Sequence, residues 1–78
     1  MENKKLIGER LRLARQRKQL RQLDVAVALE DYDIKLDHSA VGKIERGERN
    51  FYVHELAALM EILDISADWV IKGGDLSI

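Results

Sequence analysis

"DHSAVGKIERGER", residues 37–49, sets a polar opening, two apolar residues and a glycine within a single short segment. Asp37 suits a helix N-cap, because its short carboxylate can accept a hydrogen bond from a first-turn backbone N–H. Gly47 suits the left-handed residue that closes a helix. At about 100° per residue, Val41 and Ile44 point to one side, while Ser39, Gly42, Lys43 and Arg46 gather on the other. His38 stands on the exposed first turn. The segment therefore predicts a helix over 38–46 with one packing side and one side crowded with hydrogen-bonding groups.

Outward from this segment the apolar spacing stays helical. Upstream, Ile7, Leu11 and Ala14 fall at i, i+4, i+7 and form one stripe, with Arg15 on its border. "QLDVAVALE" predicts a second helix led by Gln22, with Val25, Ala26 and Leu29 facing inward. Three aspartates, Asp31, Asp33 and Asp37, then break the pattern. Downstream, Leu56, Leu59, Met60 and Leu63 share a face of a fourth helix, and Ser66 caps a fifth, "ADWVIK", stopped by Gly73 and Gly74. Strand-like alternation is confined to "DIKLD", where Ile34 and Leu36 read as loop anchors. The expected fold is all-α: five helices over roughly 4–18, 22–31, 38–46, 53–63 and 67–72 around one core, in a single domain 1–74 with a loose tail 75–78.

Composition narrows the class. The chain has 78 residues, 46% of them hydrophobic and 35% charged, and no cysteine. A disulfide framework, a thiol nucleophile and a thiolate metal site are therefore excluded. No apolar run approaches the roughly 18 residues of a membrane span. The first residues carry no signal-peptide apolar region, which predicts a cytoplasmic protein. The net charge of −1 conceals a division. Residues 1–22 hold eight basic and two acidic side chains, and residues 23–78 hold five basic and twelve acidic ones. One end is suited to face a polyanion, although a basic helix is also the ordinary form of a solvated one.

Catalysis is not expected. His38 and His54 fall on different helices, and neither a metalloprotease motif nor a glycine-rich phosphate loop is present. Asp31 and Asp33 lie in a solvated acidic loop rather than a buried dyad. No metal, cofactor or small-molecule effector is implied.

The run "RQLDVAVALE…HSAVGKIERGER…ELAALMEILDISADWVIKGG" resembles the Cro/Xre family of helix-turn-helix proteins, which includes the lambda-type repressors. The resemblance covers roughly residues 6–74 and rests on Gln22, Ala26, the Ile44-Glu45-Arg46-Gly47 signature and the Asp68–Trp69 pair. It implies a lambda-repressor-like DNA-binding domain, with the second and third helices as the motif and double-stranded DNA as the partner. By position, it implies base reading by His38, Ser39, Ala40 and Lys43, with Lys43 also placed for a phosphate. Arg21, Gln22, Arg46 and Arg49 would meet the DNA backbone. These side chains suit such roles, since backbone contacts fix register while edge contacts carry sequence. Glu45 stands apart. It lies beside Val41 on the wheel, and relatives pair this glutamate with an arginine at the position of Arg15, so Arg15–Glu45 is expected to be a structural ion pair.

Two features depart from the family pattern. The link between the motif helices is lengthened: Ala26 and Glu45 are nineteen positions apart, about five more than the resemblance to compact members implies, and the additional stretch "EDYDIKLD" is acidic. Either the second helix is extended or an acidic loop projects, and a tolerated surface insertion is favoured over a specialised function. Before the fourth helix, Tyr52 takes the place of a Ser/Thr/Asp cap. It is expected to cover the core, the alternative being an aromatic laid against sugar–phosphate.

The implied function is a sequence-specific transcriptional regulator, a repressor binding a near-palindromic operator as a homodimer formed on DNA. Dimer contacts are expected from Ala57, Ala58 and Ile62, or from the last helix with Trp69 and Ile71, although Trp69 reads as core. The alternative is a protein-interaction module, such as an antitoxin or adaptor subunit whose main partner is a protein.

Overall fold

The computed structural model describes residues 3–73. The expected tail 75–78 and the stop at Gly74 lie outside the described residues. Five helices follow one another: α1 (Asn3–Arg17), α2 (Gln22–Leu29), α3 (His38–Glu45), α4 (Val53–Leu63) and α5 (Ala67–Lys72). Among the described residues no strand is formed, and the fold is all-α.

The helix starts are capped in two ways. Asp37 accepts a hydrogen bond from the Ala40 N–H at 2.8 Å, and Ser66 accepts one from the Trp69 N–H at 3.1 Å. Neither Arg21 nor Tyr52 can cap in this manner. At α2 and α4 the third helical residue reaches back instead. The Arg21 N–H donates to Asp24 Oδ2 at 2.7 Å, and the Tyr52 N–H donates to Glu55 Oε1 at 2.9 Å. This is the returning half of a capping box, and it explains how α4 begins without a Ser, Thr or Asp before it.

Leu29, Ile44, Val25 and Val70 are fully buried, each contributing about 1.5–3 kcal/mol relative to an exposed side chain. Ile7, Leu11 and Ala14 line the core from α1, and Trp69 belongs to it at 9% exposure. Gly8 lies where α1 crosses the end of α3. A side chain there would meet the backbone carbonyls of Ile44 and Glu45. Arg10 holds the other end of the fold, its Nη1 donating to the carbonyls of Val70 at 3.2 Å and Ile71 at 3.4 Å.

The lengthened link combines both forms the sequence allows. A tighter 3-10 turn, Glu30–Tyr32, continues α2, and Asp33 ends it in the left-handed conformation at φ 62°. The link is then pinned rather than loose. Ile34 is buried and Leu36 packs half-buried against the core. The Tyr32 hydroxyl donates to Glu61 on α4 at 2.6 Å. That hydrogen bond to a carboxylate raises the Tyr32 pKa above the ordinary phenol value.

Three expectations are corrected. Tyr52 does not cover the core: it is 68% exposed and stacks on His54, with ring centroids 5.8 Å apart. Ala58, expected to be exposed for a dimer contact, is buried at 4%, because the inward stripe of α4 is wide enough to include it. Ile62 is half-buried against the same core.

Candidate nucleic-acid interface

Glu45, in the last turn of α3, organises the contact between the first three helices. Arg15 Nε donates to its Oε2 at 2.6 Å and Arg15 Nη2 to its Oε1 at 3.0 Å, a two-pronged pair. Arg15 Nη1 also donates to the Leu20 carbonyl at 2.8 Å, which ties down the turn between α1 and α2. The side chains are 12% exposed for Arg15 and 4% for Glu45. Gln22, the first residue of α2, adds a third bond, its Nε2 donating to Glu45 Oε1 at 3.1 Å. One buried carboxylate thus fixes α1, the start of α2 and the end of α3 against each other.

That arrangement seats Gln22 over the middle of α3. A Cβ on Gly42 would lie 3.1 Å from Gln22 Nε2 and 3.1 Å from Arg46 Nη1, so both side chains converge on the bare α-carbon. Gly42 is accordingly buried, where helical phase alone sets it on the polar side with Ser39 and Lys43. Its missing side chain makes the seat that Gln22 and Arg46 occupy. The buried Ala26 provides the small residue facing the core from α2.

His38, Ser39 and Lys43 remain exposed and Ala40 is half-buried. Ser39 and Lys43 are four residues apart, on one side of the helix. Lys43 has no carboxylate within ion-pair distance among the described residues. The three arginines expected at the DNA backbone are each matched. Arg21 Nη2 donates to Asp24 Oδ1 at 2.9 Å and Arg21 Nε donates to Asp24 Oδ2 at 3.1 Å. The Arg21 side-chain hydrogen bonds hold the Asp24 pKa down to about 2. Arg46 Nε lies 3.3 Å from Glu48. Arg49 turns inward: its Nη1 donates to the Asn50 carbonyl at 2.8 Å and to Glu55 at 3.3 Å. Glu55 is itself buried and caps α4, so Arg49 balances a buried charge as well as bordering the surface.

Sequence reading passed over Asp24, Glu48 and Glu55 as partners of these arginines. The Arg21–Asp24 and Tyr52–Glu55 offsets of three residues were the available signal, being the capping-box interval. The Glu48 and Glu55 contacts to arginine depend on how the segment after Gly47 is laid, which no local pattern announces. No group of three or more metal-ligating side chains comes together among the described residues. Among them, too, no helix is long and apolar enough to cross a membrane.

A family model described as a helix-turn-helix domain matches residues 6–69. No curated protein and no solved structure matches the chain. The matched span takes in all of α2, α3 and α4, and it agrees with the Cro/Xre resemblance carried by "KIERGER". The chain belongs to the helix-turn-helix domain family, a family of DNA-binding domains.

Proposed function

We propose that the chain is a sequence-specific regulator of transcription, a repressor that places α3 in the major groove of a near-palindromic operator. The observation that supports this most is the convergence of Gln22 and Arg46 on Gly42, with Ser39 and Lys43 exposed beside them. This locks the start of α2 onto the outer side of α3, so that groups suited to phosphate and groups suited to base edges share one surface. Gln22, Arg21 and Arg46 contact the backbone, while His38, Ser39, Ala40 and Lys43 read bases. Lys43 suits guanine O6 and N7. Arg49 serves from the margin, given its hold on Glu55. One motif covers only a half-site, so the chain binds as a homodimer that forms on DNA.

Selection from a random double-stranded DNA pool tests this reading, with Lys43→Glu in parallel. The expected result is a two-fold symmetric site enriched by the wild type and lost in the variant. No enrichment by folded protein would overturn the reading in favour of a protein partner, to be sought by pull-down.

A further inference from the structure

We infer that Asp24 and Glu48 occupy, in the free protein, the place that DNA phosphate takes in the complex, and that they thereby lower affinity for duplex and flatten its dependence on salt. This role rests on the DNA-binding reading above and deepens it. Arg21 presents two nitrogens to both oxygens of Asp24, the fork-on-fork geometry that guanidinium makes equally with carboxylate and phosphate. Arg46 meets Glu48 at 3.3 Å while its Nη1 lies over Gly42, beside Gln22.

These two pairs are built to exchange. Their side chains are 74% and 34% exposed for Arg21 and Asp24, and 54% and 57% for Arg46 and Glu48. Water screens both, so each pair is weak and its arginine can be drawn away at little cost. The Arg49–Glu55 contact is different in kind, because the Glu55 side chain is 6% exposed and also holds the Tyr52 N–H. It is a structural pair and takes no part in the exchange.

The consequence follows from counterion release. An unpaired arginine that neutralises a phosphate frees a condensed cation, and that release supplies essentially all non-specific affinity. An arginine already held by a carboxylate gains less. When it moves to phosphate, the abandoned carboxylate faces the duplex and must recruit a cation of its own. Binding to duplex of any sequence is weakened, and its salt dependence flattened, in this way. Specific binding bears the same loss and outlasts it, because base contacts by His38, Ser39 and Lys43 are added. The sequence-divided charge therefore does not act as a plain basic patch at the reading surface.

The test uses the full chain and its Asp24→Asn and Glu48→Gln variants, on random-sequence duplex and on the selected operator, from about 50 to 200 mM salt. Asparagine and glutamine keep the shape, and asparagine keeps an acceptor for the Arg21 N–H. Each variant is expected to steepen the log-affinity against log-salt slope by about 0.9, so its gain over wild type is about threefold larger at the low-salt end. The ratio of operator to random-duplex affinity should stay near the wild-type value, because the same arginines exchange on both. Glu61→Gln, which removes the same charge from α4, where it meets Tyr32 and, among the described residues, no arginine, should leave the slope at the wild-type value. Unchanged slopes in Asp24→Asn and Glu48→Gln, or an equal change in Glu61→Gln, would overturn the exchange role while leaving DNA binding intact. Absence of duplex binding by wild type and variants alike would overturn the DNA-binding reading itself, and this role with it.

Discussion

Gly8 of α1 lies directly against the backbone of Glu45 in α3, so closely that a Cβ at position 8 would sit 2.7 Å from the Glu45 carbonyl oxygen. The obstruction is main chain in the last turn of a packed helix, which cannot swing aside as a side chain would. Gly8→Ala gains about 1 kcal/mol in helix propensity and loses more to the clash. Net destabilisation of about 2 kcal/mol or more is expected in urea unfolding, and a stability equal to wild type would show that α1 and α3 do not cross there.

Arg15 and Glu45 should behave as a unit. Glu45→Ala strands a guanidinium that is mostly buried, and Arg15→Ala strands a carboxylate that is more deeply so. Each single change is expected to cost about 3–5 kcal/mol. Arg15→Ala combined with Glu45→Ala should cost clearly less than the two single losses added, since removing both partners leaves no orphaned charge. Additive losses in a double-mutant cycle would contradict the pair.

Gly42→Ala separates stability from recognition. The atoms an added methyl would meet, at 3.1–3.2 Å, are the far ends of Gln22 and Arg46, which can yield. Helix propensity favours alanine by about 0.8–1.0 kcal/mol, so Tm should hold or rise slightly. The displaced Gln22 and Arg46 should then weaken operator binding severalfold. A fall in Tm with unchanged DNA affinity would contradict this placement.

The Arg21–Asp24 pair should leave a pH signature. The folded Asp24 pKa is lowered from 3.8 to about 2 by the Arg21 hydrogen bonds. A depressed carboxylate contributes stability above its unfolded value, and that contribution disappears as pH falls from near 3.8 through about 2. An NMR titration of the side-chain carboxyl carbons should find Asp24 still ionised at pH 3, and Arg21→Gln should raise its pKa only part of the way back, because the backbone N–H at position 21 still donates to it.

The periodic residues made the helices legible. Ile7, Leu11, Ala14, Val41 and Ile44 are buried as their spacing requires, and the caps at Asp37 and Ser66 are chemically unambiguous. Gly42 was legible as a residue but not as a seat, because its burial comes from Gln22, twenty positions earlier in the chain. Ala58 and Tyr52 failed for a related reason. A small residue beside an apolar stripe can face either way, and an aromatic at a helix entrance follows the angle at which the chain arrives. The charge pattern was the least transparent. Counting arginines finds the cations, but only their placement reveals that Asp24, Glu48 and Glu55 already hold three of them.

The grip of Arg10 on the final carbonyls of α5 fastens residues sixty positions apart, and so joins the first helix to the last. A six-residue helix has little capacity to persist by itself. Buckled to α1, it cannot peel off unless that longer helix lets go as well. Thus fastened, α5 is no loose flap at which a protease could begin, and it should resist nicking for as long as Arg10 keeps its hold.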